Sequence, residues 1–371
     1  MEQGMKTIEL LDSLTGPADL VETLEEGTVR CAACAHRCLI KPGRRGICGV
    51  RYNRDGVLMV PRGYVAGVQI DPVEKKPFNH FLPGSEVLTF GMLGCNFHCG
   101  FCQNWFSSQA GRDPRSDSAV HSISRRSAER LVQYALENGA RAVASSYNEP
   151  LISTEWAVEI FKLAKANGLK TAYVSNGYAT PEALEYLAPW LDAYKVDLKS
   201  MQDSEYRKMG GSLQPVLDTI RRVRELGLWL EVVTLVIPGM NDSNDEIWEA
   251  GRYLMSVSPD IPWHVTAYHP EYKEDAPPTP ASTLQRAAEI GQEAGLRYVY
   301  AGNLPGRVGS LEDTVCPHCG KRLIMRSGYM VSGYHITDDG KCEYCHQPVA
   351  GVWESSSTRH SGRGFPRRVS D

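Results

Sequence analysis

Cys95, Cys99 and Cys102 stand in the run Gly-Cys-Asn-Phe-His-Cys-Gly-Phe-Cys-Gln-Asn, a C-x3-C-x2-C triplet. Three thiolates at this spacing can hold three irons of a cubic 4Fe–4S cluster and leave the fourth iron without a protein ligand. Clusters that only carry electrons are closed by four cysteines. An open iron is what a reactive cluster needs, because an outside molecule can chelate it. Gly94, Gly100 and Phe101 suit a tight loop around such a centre; a zinc loop is the competing reading.

The chain has 11 cysteines, and they fall without remainder into sets of four, three and four. Two-residue gaps inside the sets are metal spacings rather than disulfide spacings. Cys316, Cys319, Cys342 and Cys345 have the form of a zinc ribbon, four thiolates closing a structural site. Leu323, Ile324, Tyr329, Val331 and Tyr334 between them suit a hairpin packed on the metal. Cys31, Cys34, Cys38 and Cys48 suit zinc or else an auxiliary iron–sulfur cluster, since spacing does not choose. Arg37, Lys41, Arg44, Arg45 and Arg51 make that region basic, a pattern that is usually solvated surface.

The elements that must position these groups follow from periodicity. Apolar runs at Glu86–Met92, Ala142–Tyr147, Lys170–Ser175, Asp192–Lys199, Leu228–Ile237 and Pro262–Tyr268 alternate with amphipathic helical patterns. Arg297–Ala301 is expected as a final short strand. Helix ends are marked by Thr180-Pro181, by a Ser243–Glu246 capping box, by Thr279-Pro280, and by Gly168, Gly227 and Gly295. Alternation with short connections implies parallel βαβ units, and six of them suit a partial (β/α)6 barrel. A doubly wound sheet has the same periodicity. The expected divisions are an N-terminal four-cysteine segment (1–83), the barrel (84–305), a zinc-ribbon-like module (312–353) and a Ser-, Gly- and Arg-rich disordered tail (354–371).

Hydrophobic content of 42% and charged content of 23% suit a soluble globular enzyme. A net charge of −4 gives no general reason to expect nucleic acid or an anionic membrane as partner. The first residues carry acidic groups and no apolar core, so no secretory signal is expected. No run of about 18 apolar residues could span a bilayer, and the chain reads as cytoplasmic. Nucleophile-elbow, P-loop and dinucleotide fingerprints are missing.

At the triplet the chain resembles the radical S-adenosylmethionine (SAM) superfamily. The resemblance implies an α/β partial barrel in which SAM chelates the open iron and is cleaved reductively to a 5′-deoxyadenosyl radical. Tyr147-Asn148-Glu149-Pro150 is similar to the Gly-Gly-Glu-Pro turn of radical SAM activating enzymes, which places Asn148 and Glu149 near the methionyl ammonium. Ser175-Asn176-Gly177 resembles their ribose-contacting turn, and Asp197-Leu198-Lys199 their Asp-Leu-Lys, with Lys199 near the SAM carboxylate. Phe101 and His269 complete the implied cofactor shell. Each has a plainer reading: Glu149 as a helix-start carboxylate, Asn-Gly as a turn, Asp197 and Lys199 as a surface ion pair, His269 as structural. Val174 stands where the activating enzymes carry an acidic residue, so their cation site is not expected here.

Longer stretches resemble the radical SAM component of the AmmeMemoRadiSam system. They are residues 31–38 with 46–51, Asp-Pro-Val-Glu-Lys-Lys-Pro (71–77), 94–105, Ile-Pro-Gly-Met-Asn-Asp (237–242) and Cys-Pro-His-Cys-Gly (316–320). That resemblance implies a Memo-like protein and a second small partner domain as company, with flavodoxin or ferredoxin as electron donor. The expected function is hydrogen abstraction from a substrate or partner protein. Activation of a glycyl-radical enzyme, as by pyruvate formate-lyase activating enzymes, is the alternative within the class, and a non-catalytic zinc-ribbon adaptor the alternative outside it.

Overall fold

A computed structural model describes residues 2–354 and 365–368. Its main sheet opens on an antiparallel strand, β1 (Gly67–Pro72), and continues through seven parallel strands. These are β2 (Glu86–Gly91), β3 (Ala142–Ser145), β4 (Lys170–Ser175), β5 (Ala193–Asp197), β6 (Trp229–Val236), β7 (Trp263–Ala267) and β8 (Val299–Gly302). Each strand lies beside its predecessor, so the sheet grows in one direction throughout. A doubly wound sheet must reverse its strand order. One direction of growth with right-handed crossovers puts every helix on the same side, which is a partial barrel of six βα units ending on a seventh strand.

The helices follow the apolar periodicity. They are α1 (Ala128–Glu137), α2 (Thr154–Ala166), α3 (Pro181–Leu187), α4 (Gln214–Glu225), α5 (Asn244–Val257) and α6 (Ala281–Glu293). Thr180 caps α3 as expected, its hydroxyl accepting the N–H of Ala183 at 3.1 Å. Two caps differ. Ser243 caps α5, but Glu246 turns away to accept from Ser200 Oγ and Met201 N at 2.5 and 2.8 Å, so the box is half made. Thr279 does not cap α6; its hydroxyl donates to Val236 O and accepts from Tyr268 N, tying the ends of β6 and β7 together.

Strand side chains alternate between the helix layer and the barrel interior. Leu88, Phe90, Val143, Tyr173, Tyr194 and Val196 join the core shared with the helices. On β3, β4 and β5 the interior positions at the lower end are alanines: Ala142, Ala144, Ala172 and Ala193. Barrels are usually filled there by branched residues. Here the alanines leave room for the chain between β1 and β2, which brings Val73, Phe78, Phe81 and Leu82 inside as a plug. Phe78 and Phe81 are fully buried with ring centroids 5.3 Å apart. Glu231 of β6 anchors the plug, accepting the backbone N–H groups of Asn79 and His80 at 2.9 Å each, and His264 Nε2 lies 2.7 Å away.

The division expected at residue 83 therefore moves. Residues 67–83 belong to the barrel, as the antiparallel strand β1 and the plug. What precedes them folds as a helix and two small three-stranded antiparallel sheets against the barrel. The C-terminal module carries the strands β9 (Thr314–Val315), β10 (Arg322–Ser327) and β11 (Met330–Tyr334). Its core includes Tyr298 and Tyr300 from the last barrel strand region, and Val352 pairs with Phe81 of the plug. The described ends of the tail make contacts with the barrel. Glu354 is buried against Arg141, and Arg367–Arg368 adds a short strand, β12, to β1 while Arg367 pairs with Glu86 at 2.6 Å. The rest of that tail, 355–364 and 369–371, lies outside the described residues. No helix among the described residues is long and apolar enough to cross a membrane.

Candidate active site

A cavity of about 360 Å³ opens at the C-terminal ends of the parallel strands, where this kind of barrel carries its chemistry. Cys95, Cys99 and Cys102 line it, together with Phe101, Asn148, Glu149, Asn176, Asp197 and Lys199. These residues come from the loop after β2 and from the ends of β3, β4 and β5. His269 does not line it. His269 is exposed at the rim, its Nε2 3.3 Å from Nε2 of Gln103, which does.

The triplet loop is held from several sides. Asn148 Oδ1 accepts from Met92 N at 2.9 Å, and Asn148 Nδ2 donates to Gly94 O at 3.2 Å, so both polar ends brace the loop. Backbone pairs join His98 N to Met209 O and Lys273 N to Gly100 O. Gly211 lies so close that a Cβ there would sit 2.4 Å from the Phe97 ring. The thiols are buried, and burial pushes Cys99 up to about 12, with Cys95 and Cys102 also raised. Bare, they are neutral thiols; a bound metal would deprotonate them. Phe97 N donates to Cys95 Sγ at 3.4 Å, and Ser108 Oγ lies 3.2 Å from Cys102 Sγ.

Glu149 fills its plainer role and more. It caps the turn at Pro150, accepting from Leu151 N at 3.0 Å, and also accepts from Ser175 Oγ and Asn176 N at 2.7 Å each. Burial raises its pKa to about 7 even though all three donors favour the ionised form. Asn176 is likewise engaged, donating to Asn96 Oδ1 at 2.7 Å and accepting from Tyr178 N at 3.0 Å. Gly177 is required by its backbone and by its neighbour on β5. Its φ is +72°, and a Cβ would lie 2.7 Å from Val196 Cγ1, so the turn packs closely on β5. Asp197 and Lys199 share one side as the alternation predicts, Lys199 Nζ 3.3 Å from Asp197 Oδ2, and Lys195 also meets Asp197. Burial raises Asp197, but the two ammonium groups hold its pKa below the usual carboxylate value. This pair is inside the cavity, not on the surface.

Several lining residues were not assigned to the site by sequence, among them Tyr329, which was expected to pack on the C-terminal metal. Lys75, Lys76 and Tyr147 enter beside the plug, Lys195 from β5, and Tyr329 from the tip of the C-terminal hairpin. Asn241, inside the Ile-Pro-Gly-Met-Asn-Asp stretch, donates to Lys199 O at 2.7 Å and Leu235 O at 2.8 Å and so fixes the Lys199 backbone.

The outer cysteine sets differ in geometry. The sulfurs of Cys316, Cys319, Cys342 and Cys345 lie within 4.8 Å of one another, with 3.7 Å from Cys316 to Cys345 and 3.8 Å from Cys319 to Cys342. Thiolates bound tetrahedrally at about 2.3 Å stand about 3.8 Å apart, so the donor set suits one zinc ion. Among the described residues no other group of metal-ligating side chains is that compact. The triplet sulfurs do not all lie within that distance of one another. Cys31, Cys34, Cys38 and Cys48 line one small pocket but are also wider spread. Arg51 is not solvated as expected: it is buried, 3.6 Å from Cys31 Sγ, and paired with Glu155. This loop adjoins the triplet loop, with His36 Nε2 3.0 Å from Asn96 O and Cys34 bridged to Ala179.

A one-directional βα barrel with a cysteine triplet at its C-terminal mouth is the build of a radical SAM enzyme. The Radical SAM superfamily model matches residues 90–254, and the chain carries a radical SAM domain there. An uncharacterized protein of Methanocaldococcus jannaschii is 35% identical over 332 residues, 88% of this chain and 97% of the relative. The pyruvate formate-lyase 1-activating enzyme of Escherichia coli is 21% identical across 59% of this chain and 93% of its own. Among solved structures, a radical SAM methyltransferase from Sphaerobacter thermophilus aligns at TM-score 0.46 and 15% identity, covering 83% of this chain and 81% of that one.

Proposed function

We propose that this chain holds a site-differentiated 4Fe–4S cluster on Cys95, Cys99 and Cys102 and uses it with SAM to abstract a hydrogen atom from its substrate. The observation that carries the reading is convergence: the triplet, Glu149, Asn176, Asp197 and Lys199 come from four separate loops and strands onto one cavity. When bound, the cluster supplies an electron and SAM supplies a 5′-deoxyadenosyl radical. The chain's own residues bind and orient. Ionised Glu149 accepts from the methionyl ammonium, a charge-assisted bond. Lys199 meets the carboxylate end, and Asn176 and Asp197 take the nucleoside side. Asn148 holds the cysteine loop in register with Glu149.

A one-electron donor such as flavodoxin or ferredoxin would meet the outer face of the triplet loop, where His98, Arg112 and Lys273 share a shallow basic pocket with Arg115. The C-terminal quartet is proposed to hold zinc as a structural clamp. Cys31, Cys34, Cys38 and Cys48 are assigned an auxiliary iron–sulfur cluster, because their spread and their place beside the triplet loop suit it better than a single ion. Residues 31–38, 71–77 and 94–105 support membership of the AmmeMemoRadiSam system, with a Memo-like protein and a second small domain as partners. Activation of a glycyl-radical enzyme is the second reading, favoured by the activating-enzyme relatives and opposed by Val174.

Metal content tests the assignment. Anaerobically reconstituted protein is expected to absorb broadly near 400 nm, and the triple Cys95, Cys99, Cys102 alanine variant should lose about four irons per chain while keeping its zinc. A triple variant with undiminished iron would end the proposal.

A further inference from the structure

The cavity extends beyond the residues assigned to SAM, and its far wall carries positive charge that those assignments leave unused. Lys76 arrives from the turn after β1 and Lys195 from the middle of β5; both line the cavity, at 4% and 5% exposure. Among the described residues each ammonium has one carboxylate partner. Lys76 Nζ is 2.7 Å from Asp71 Oδ2, and Lys195 meets Asp197. Neither carboxylate is exclusive. Asp71 also takes Lys75 at 2.8 Å and the Tyr147 hydroxyl at 2.6 Å, and Asp197 also takes Lys199. Four ammonium groups thus share Asp71 and Asp197 around one cavity, where Glu149 on the SAM side is a third carboxylate.

The arrangement is electrostatically incomplete. Burial lowers the Lys76 pKa to about 8 against the pull of Asp71, and the neighbouring charges of Lys75 and Lys195 push the same way. An ammonium has three N–H donors; Lys76 commits one to Asp71 and packs over the Tyr147 ring at 4.2 Å. Buried cations held so near one another are costly unless an anion completes them. Lys199 is assigned to the SAM carboxylate, whereas Lys76 and Lys195, each sharing its carboxylate with a second lysine, keep N–H donors for another ligand.

Tyr147 points to the same place. Its φ is +71°, a left-handed conformation unusual for a bulky side chain. Gly91 permits it, since a Cβ at 91 would lie 2.7 Å from Ser146 O and 2.9 Å from Tyr147 Cβ. Backbone strain held in place at a cavity wall marks a position where the side chain matters.

We propose that this half of the cavity is the substrate subsite and that it receives an oxyanion group of the substrate, phosphate or carboxylate, between Lys76 and Lys195. The inference rests on the reading of the other half as the SAM site. The test is isothermal titration of reconstituted, SAM-saturated full-length protein with inorganic phosphate and, separately, with malonate, at constant ionic strength. At least one anion should bind saturably with millimolar or tighter affinity, and the better of the two identifies the oxyanion. Lys76→Gln should weaken that binding about tenfold, the loss of one charge-assisted contact, while SAM affinity stays within about twofold. Failure of both anions to saturate the wild type, displacement of either anion by SAM, or an equal loss of SAM affinity in Lys76→Gln would overturn it. A protein that cleaves SAM but binds neither anion would lose this inference and keep the proposed function.

Discussion

Glu149 gives the account a pH signature. Burial places its pKa near 7, above the 4.5 of a free glutamate, so the ionised form costs the folded protein about 3 kcal/mol. The sign follows directly. Without SAM, this group's contribution to stability is full below pH 4.5 and is lost as pH rises through about 7. SAM acts in the opposite sense, because its ammonium stabilises the carboxylate. At pH 6 only about one molecule in ten carries the charge, so SAM binding should weaken about tenfold, or about 1.4 kcal/mol, for each pH unit below 7. Glu149→Gln keeps the size and one acceptor while setting an N–H2 against Asn176 N or against Ser175 Oγ and Leu151 N. It should weaken SAM binding at pH 8 by about 1.5–3 kcal/mol and abolish the acid limb. Anaerobic equilibrium dialysis of reconstituted protein between about pH 5.5 and 8 would read both. A flat wild-type profile, or the same limb in Glu149→Gln, would refute the reasoning.

Two further outcomes follow from the packing and the metals. Phe81→Ala empties the barrel plug beneath four alanines that cannot collapse inward, so it should lower unfolding free energy by about 3–5 kcal/mol in chemical denaturation; a loss under about 1 kcal/mol would show that the plug is not part of the core. Cys345→Ser should remove one zinc per chain, measured by elemental analysis, and loosen the hairpin, while SAM cleavage without substrate persists because Tyr329, its one contribution to the cavity, is not assigned to SAM.

The parts of this molecule that obey a local rule were legible in its sequence. The seven parallel strands and the shared face of Asp197 and Lys199 follow from the alternation of periods 3.6 and 2, and the Thr180 cap from its residue type before Pro181. The triplet is legible because its chemistry needs contiguous residues. What escaped depends on distant partners. Phe78 and Phe81 sit in an aperiodic stretch whose destination is set by alanines on three later strands. Glu231 is hidden within the apolar run Leu228–Ile237, and only the plug gives its carboxylate donors. Arg51 belongs to a basic cluster, but Glu155 on α2 draws it inside. Asn-Gly at 176–177 signals a turn, while the reason for glycine is Val196 on another strand. Lys76 and Lys195 lie far apart in sequence and line one cavity only because β1 and the plug join the barrel.

The central claim is tested most directly by product analysis. Wild-type protein carrying a verified, reducible cluster, incubated anaerobically with SAM and strong reductant, should slowly form equal amounts of 5′-deoxyadenosine and methionine even without substrate, and Cys99→Ala should form neither. Sustained absence of 5′-deoxyadenosine from such wild-type protein, or its undiminished formation by Cys99→Ala, would contradict the account.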